Sequence, residues 1–166
     1  MNTVANAIVG GWQVSGISTF KQGFPLGISP ANNTLGQFGG NRRPDIVADM
    51  HVSHPTIDRW FNVAAFQDPN DPFDFGSAPR YISQLRAPGY QNWDLSAQKY
   101  WRFGELTRLQ FRAELYNAFN HTNFYAPNQQ LGARTALPGG ASGGSFGTIG
   151  NAFAGRDVQF AGKFYW

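Results

Sequence analysis

The sequence of 166 residues contains no cysteine. This absence excludes a disulfide framework, a thiolate metal site and a cysteine nucleophile, but it does not separate a reducing cytosol from a bacterial envelope. Charged residues are also scarce, at 14%, and 13 Lys and Arg against 10 Asp and Glu leave a net charge of +3. Because this small excess is scattered among acids and forms no basic stripe, nucleic-acid binding is not expected.

The first twenty residues carry no charge, yet they contain no long apolar run. Asn, Thr, Gln and Ser interrupt the roughly 18 consecutive apolar residues that a membrane-spanning helix needs. The basic region and compact apolar segment of a secretion signal are missing as well. We therefore expect no spanning helix, and we expect any export signal to lie outside this chain.

Aromatic residues are abundant, with 15 Phe, 6 Tyr and 5 Trp, and so is glycine, with 20 residues. This aromatic content is too high for a disordered chain. Asn, Gln, Ser and Gly surround the rings, where a soluble core protein would have more Glu and Lys. The mixture is typical of strands with one apolar face and one wet face.

Four segments alternate apolar and polar residues with the period of a β-strand. They cover residues 12–21, 92–103, 107–120 and 157–166. In the third segment, Leu109, Phe111 and Leu115 share one parity, and charged or amide side chains occupy the other. Each segment is therefore predicted to be a strand with two unlike faces.

The connections between these segments alternate in length. Residues 103–106 form a short turn and Gly10-Gly11 supplies another, whereas residues 29–90 and 121–155 form two much longer loops. Outer-membrane barrels alternate short periplasmic turns with long extracellular loops in the same way. The sequence therefore predicts an all-β fold of antiparallel strands from a transmembrane β-barrel with long extracellular loops, with Trp101 and Leu109 on one face.

A barrel strand turns one parity to the lipid and the other to the lumen. The charged residues predicted to face the lumen are Asp94, Arg102, Arg108, Arg112 and Glu114. One predicted aromatic girdle, at the periplasmic interface, comprises Trp12, Trp101, Phe103, Phe164 and Trp166. The other, at the outer interface, comprises Phe20, Phe24, Tyr90, Trp93 and Phe119. Lys99 lies on the lipid parity, and we expect its ammonium group to reach the lipid headgroups.

Several short motifs follow one another along the chain. They are G-W-Q-V-S-G from Gly11, G-N-R-R-P-D from Gly40, W-F-N from Trp60, N-W-D-L-S from Asn92 and N-A-F-N-H from Asn117. In this order they resemble the carboxyl-terminal part of TonB-dependent receptors of the Oar-like type. Those receptors are outer-membrane barrels with a carboxypeptidase-regulatory-like domain ahead of an amino-terminal plug.

The resemblance implies that residues 1–166 are a carboxyl-terminal fragment of the barrel domain of such a receptor. It implies ligand uptake only within a longer chain, in the outer membrane of a Gram-negative bacterium. The partners that it implies are outer-membrane lipid, the barrel-assembly machinery, and TonB through the missing plug; no cofactor is implied. Because bacterial barrels begin at about eight strands, four strands do not close, which agrees with a fragment.

The closing strand ends on an aromatic residue, and its apolar parity includes Val158, Phe160, Phe164 and Trp166. By resemblance, such a strand is similar to the signal that the barrel-assembly machinery recognises by strand addition. Alternatively, Trp166 only completes the interfacial girdle. Both interpretations stay open at this point.

Three local patterns have simple interpretations as loops. His51 and His54, with Asp58, lack the spacing of a zinc site. The acidic run from Asp68 to Asp74 lacks the glycine and the terminal glutamate of a calcium-binding hand, so a solvated turn is favoured over calcium. The glycine-rich residues 139–144 lack the Lys-Ser/Thr of a phosphate loop.

No spacing of catalytic residues and no cofactor fingerprint is present, so enzyme activity is not expected. One alternative to the barrel stays open. A secreted β-sandwich that binds carbohydrate would also expose Trp and Tyr among polar residues, but it would bury the apolar parity in a packed core.

Overall fold

A computed structural model describes residues 8–31, 33, 41–136 and 142–166. The strands are β1 (Trp12–Lys21), β2 (Pro25–Leu26), β3 (Asp45–Ile46), β4 (Phe66–Gln67), β5 (Ile82–Arg86), β6 (Tyr90–Arg102), β7 (Arg108–Tyr116), β8 (Arg134–Ala136), β9 (Ser142–Gly144) and β10 (Asp157–Tyr165). Val63–Ala65 and Leu131–Ala133 are 3₁₀ turns. Across these described ranges, no helix is long and apolar enough to cross a membrane.

The chain divides into two compact units. The first contains residues 8–21, Tyr90–Asn123 and Ala154–Trp166. It is a four-stranded antiparallel sheet with the order β1-β6-β7-β10. These four strands are the four alternating segments of the sequence, so the prediction of an all-β antiparallel fold is confirmed.

The register carries the alternation of each strand across the whole sheet. Leu109 of β7 lies opposite Trp101 of β6 on one side and opposite Phe164 of β10 on the other. Directly opposed residues in an antiparallel pair point to the same face. The four strands have 9 to 13 residues, which covers the roughly 9–11 residues of a tilted transmembrane strand.

Strand β7 ends at Tyr116, four residues before the end of the segment predicted from the sequence. Asn117 and Asn120 have φ values of 50° and 53°, in the left-handed region that asparagine tolerates better than most residues. The backbone amide of Asn117 donates to a carboxylate oxygen of Asp94 at 3.0 Å. The strand therefore ends at Tyr116, because Asn117 and Asn120 adopt left-handed conformations and Asn117 is hydrogen-bonded to Asp94 of β6.

The second unit contains Gln22–Gly89 and Phe124–Phe153. Three short antiparallel pairs run through it: β2 with β5, β3 with β4, and β8 with β9. Its hydrophobic core consists of Leu26, Ile28, Phe61, Ala65, Phe66, Ile82, Leu85, Ala87, Leu131 and Phe146. The rings of Phe61, Phe66 and Phe146 meet edge to face, with centroids 5.1 to 6.1 Å apart. The long loops predicted from the sequence thus fold into a compact unit of their own.

The apolar face of the four-stranded sheet is largely exposed. Val14 and Phe160, on that face, are 71% and 67% exposed. A β-sandwich would bury the same parity under a second sheet. The arrangement therefore does not fit the alternative of a soluble sandwich, and it does fit a sheet whose apolar face meets lipid.

Candidate functional site

The five charged residues predicted to face a lumen lie on one face of the sheet. Arg102 is opposite Arg108, and Arg112 and Glu114 are opposite Gln98 and Ser96. Asp94 is on the same parity of β6. The structure thus brings the five residues to a common polar face, while the assignment of that face to a barrel lumen stays a prediction.

Hydrogen bonds between side chains cross the polar face from one edge strand to the other. Tyr165 donates its hydroxyl to Gln110 at 3.1 Å, and Gln110 donates to Gln98 at 3.2 Å. Gln98 then donates to Gln13 at 2.8 Å. Because Gln98 and Gln110 each donate one hydrogen bond and accept another, the row links all four strands and fixes the orientation of these two side chains.

The cations of this face are held mainly by neighbouring side chains. Arg112 Nε lies 3.4 Å from Glu114 Oε1. The guanidinium group of Arg108 and the ammonium group of Lys163 lie 4.2 and 4.7 Å from the ring centroid of Tyr165. Both distances are within the range of cation–π attraction.

Asparagine side chains fix the turn that follows β7, which sequence reasoning missed. The side chain of Asn123, which is buried, donates to the backbone carbonyl of Gln91 and accepts from the backbone amide of Gln91, both at 2.8 Å. Its side chain therefore takes the place of a strand residue opposite Gln91. Asn117 likewise exchanges two hydrogen bonds with the backbone of His121, each of 2.9 Å. Three asparagines within seven residues were the available signal.

Aromatic side chains stand at both ends of the apolar face. Register places Trp12, Trp101 and Phe164 toward one end. At the other end, the ring of Trp93 meets the rings of Phe20 and Phe119 edge to face, each at 5.7 Å. Six of the predicted girdle residues therefore lie at the ends of the apolar face, and their place at the membrane interfaces stays a prediction.

Two predicted members of the outer girdle lie elsewhere. Tyr90 belongs to the polar parity, where it pairs with Lys21, and the Lys21 ammonium group lies 5.7 Å from its ring centroid. Phe24 belongs to the second unit. The outer aromatic cluster of the sheet therefore consists of Phe20, Trp93 and Phe119.

The expectation for Lys99 is wrong, because its ammonium group does not extend outward. Lys99 is 1% exposed and donates to the carbonyls of Ile8 and Gly10, at 2.9 and 2.6 Å. The rings of Trp12 and Trp101 each lie 5.4 Å from the ammonium group. The Lys99 ammonium group thus donates to backbone carbonyls of the helical turn before β1, whereas we expected it to reach the lipid headgroups.

The closing strand β10 lies at an edge of the sheet. Val158, Phe160 and Phe164 are exposed on its apolar parity. Trp166 follows the last strand residue, is 90% exposed, and stacks on Phe164 with centroids 6.0 Å apart. The four predicted residues thus form one exposed apolar row.

The acidic run of the second unit orders turns. The carboxylates of Asp68, Asp71 and Asp74 accept backbone N–H groups at 2.9 to 3.2 Å. Asp71 and Asp74 accept from residues two positions ahead, in the manner of turn-forming aspartates, whereas Asp68 accepts from the distant amide of Ala31. Within the part of the chain that the structure describes, no group of three or more His, Asp or Glu could hold a metal ion.

His51 pairs with an aspartate that the sequence analysis did not consider. Its Nδ1 lies 2.8 Å from Asp49 Oδ1. Hydrogen bonding to this side chain raises the pKa of His51, and hydrogen bonds from His51 lower the pKa of Asp49. His54 and Asp58, the other members of the considered metal site, are exposed. Of the glycine-rich run, residues 139–141 lie outside the described residues.

Comparison with known proteins gives one family. A model described as an outer membrane beta barrel domain matches residues 1–159. No curated protein and no solved structure matches the chain.

Proposed function

The chain belongs to the outer membrane beta barrel domain family, and from that premise we propose that it is the carboxyl-terminal barrel segment of a TonB-dependent receptor. Its location is the outer membrane of a Gram-negative bacterium. In the proposed role it takes part in ligand uptake only as part of a longer chain. TonB is reached through an amino-terminal plug of that longer chain.

The observation that carries the proposal is the sheet with two unlike faces. A side-chain row spans four strands on the polar face, and exposed aromatic and aliphatic groups cover the other. A cation turned to lipid at the bilayer midplane costs about 2–4 kcal/mol. Because Arg102, Arg108 and Arg112 share the polar face, the polar face must line the lumen when the apolar face meets lipid.

The second unit supports a receptor over a simple pore. A transporter that selects its ligand needs a shaped surface, and loops with their own core supply one. Here the residues between β1 and β6, and between β7 and β10, contain short strand pairs and a shared core. The motifs from Gly11 to Asn117, which resemble Oar-like receptors, support the same assignment.

Crosslinking tests the receptor assignment. Formaldehyde treatment of intact cells that express the full-length parent should give an adduct with TonB on immunoblots. Deletion of the segment ahead of the plug should abolish the adduct while the barrel still shifts in mobility when heated. The Arg59→Gln parent, altered at an exposed residue of the second unit, should form the adduct as well as the unmodified parent does.

A folded, heat-modifiable parent that gives no TonB adduct would contradict the receptor assignment. That result would leave the outer-membrane barrel in place, because the barrel rests on the family match and on the sheet.

A further inference from the structure

A concave site lies within the second unit. Its volume is about 820 Å³, and its lining includes Arg42, Arg43 and Arg80 with the rings of Phe75 and Tyr81. Small-molecule sites commonly measure roughly 300–1,000 Å³. The described residues that line it include these three cations and neither Asp nor Glu. The site therefore has the size and the charge for an anionic ligand.

Arg42 is held rigidly, but its charge is not neutralised. The side chain is 6% exposed, and Nη2 donates to the backbone carbonyls of Pro69 and Asp71. Its Nε is buried and has no hydrogen-bond partner. A buried donor without an acceptor is unfavourable, because it has lost its hydrogen bonds to water and gained none in the protein. The structure therefore holds a guanidinium group in place with donor capacity to spare.

Arg43 repeats this pattern beside it. Its backbone amide donates to the carbonyl of Phe75 at 2.8 Å, while its buried Nε has no partner. Gly76 allows this close approach: its φ is +76°, and a Cβ there would lie 1.9 Å from the Arg43 carbonyl oxygen. The backbone of Arg43 is thus fixed while its guanidinium nitrogen stays unsatisfied.

The acids of this region are engaged with the backbone. Asp45, Asp71 and Asp74 accept backbone N–H groups, and Asp68 accepts the amide of the lining residue Ala31. Among the described residues, the carboxylates found within 4.0 Å of a basic nitrogen belong to Asp49 and Glu114. Residues 32 and 34–40, outside the description, include no Asp or Glu in the sequence. Among the described residues, no carboxylate therefore lies within 4.0 Å of a guanidinium nitrogen of Arg42, Arg43 or Arg80.

We propose that this concave site binds a ligand that carries a carboxylate or phosphate group beside a flat apolar portion. Guanidinium groups match the geometry of both oxyanions. The exposed rings of Phe75 and Tyr81 offer stacking surface to the apolar portion. The inference rests on the proposed function, because it names the chemical class of the ligand that the receptor takes up.

Calorimetric titration with phenyl phosphate tests the site. The purified full-length parent, in detergent free of lipopolysaccharide, should bind this probe. Arg43→Gln and Arg80→Gln should each weaken binding at least tenfold, because each removes a cation from the lining. Arg59→Gln is the matched control, since Arg59 is exposed in the same unit and lies outside the lining. Heat-modifiable mobility in gels confirms that each variant is folded.

Equal binding by Arg43→Gln, Arg80→Gln and Arg59→Gln would overturn the proposal, as would no binding by the unmodified parent. A parallel titration with lipopolysaccharide distinguishes the source of the anion. Binding of lipopolysaccharide without binding of phenyl phosphate would overturn the assignment to a transported ligand. A parent that binds phenyl phosphate but forms no TonB adduct would keep the anion site and contradict the receptor assignment.

Discussion

At the scale of single residues, Lys99 shows how a strand accommodates a cation on its apolar face. The ammonium group satisfies two carbonyls of the turn before β1 and lies between two tryptophan rings. A buried hydrogen bond to a charged group contributes about 1.5–3 kcal/mol. Lys99 therefore ties the start of β1 to β6.

Replacement of Lys99 by methionine should lower the free energy of unfolding of the full-length parent by about 1–3 kcal/mol, because the part-buried hydrogen bonds from its ammonium group to the carbonyls of Ile8 and Gly10 are lost. Urea titration followed by tryptophan fluorescence measures the change. Lys21→Met is the control, since Lys21 is exposed at the other end of β1 and such surface changes stay within about 0.5 kcal/mol. Equal midpoints for the two variants would refute this role of Lys99.

The Asp49 and His51 pair responds to pH in a definite direction. The pKa of His51 is raised from 6.5, so its contribution to stability is complete below 6.5 and is lost as pH rises through the folded value. The pKa of Asp49 is lowered from 3.8, so its contribution is complete above 3.8 and is lost as pH falls through the folded value. The contact between Asp49 and His51 therefore stabilises the fold most between pH 3.8 and pH 6.5.

Asp49→Asn should lower the pKa of His51, because it removes the carboxylate that favours the protonated ring. Titration of the histidine ring carbons by NMR, in the labelled full-length parent, reports this pKa directly. An unchanged His51 titration in Asp49→Asn would show that the contact does not form in solution.

At the scale of elements, the sequence was informative where a pattern repeats over many residues. β1, β6, β7 and β10 each alternate over at least nine residues, and their bounds differ from the predicted segments by four residues at most. The strands of the second unit have two to five residues, too few for a period to show. Its core joins Leu26 to Phe146 across 120 positions, and such contacts leave no local signal.

The features of the candidate site also divide into those that the alternation of residues predicted and those that depend on contacts between segments. Parity alone predicted that Arg102, Arg108 and Arg112 share a face, because register preserves alternation. The amide row of Gln13, Gln98 and Gln110 was not predicted, since it depends on the register of the strands: Gln13 lies directly opposite Gln98, and Gln110 reaches Gln98 diagonally. The acceptors of Lys99 were missed because they belong to a turn and not to a strand.

β10 is the element whose end carries a proposed role in assembly. It stands at a sheet edge, with Trp166 exposed and stacked on Phe164. An exposed edge pairs with another strand through backbone hydrogen bonds. If the aromatic end guides that pairing, its loss should impair assembly far more than the loss of a girdle residue.

Deletion of Trp166 from the full-length parent should reduce the heat-modifiable barrel in outer-membrane fractions several-fold. Trp93→Ala is the control, because it removes a ring of the aromatic cluster at the other end of the sheet and leaves β10 intact. Near-normal yields for both variants would rule out the assembly role and favour a girdle role for Trp166.

Across the whole molecule, the four-stranded sheet matches the dimensions and the polarity of a bilayer. The strands have transmembrane length, the polar row is continuous, and the apolar face is exposed. Backbone groups in a membrane must pair, so β1 and β10 require further strands at their outer edges. This requirement agrees with a chain that works within a larger barrel.

The most direct test of this account is the labelling of single cysteines from outside the cell, which the absence of native cysteine in this chain favours. Asn70→Cys probes an exposed residue of the second unit, and Glu105→Cys probes the turn between β6 and β7. In an otherwise cysteine-free parent, a bulky, membrane-impermeant maleimide should label Asn70→Cys on intact cells. It should label Glu105→Cys only after the outer membrane is permeabilised. Equal labelling of both variants on intact cells, or the reverse pattern, would contradict a sheet that crosses the outer membrane with its long loops outside.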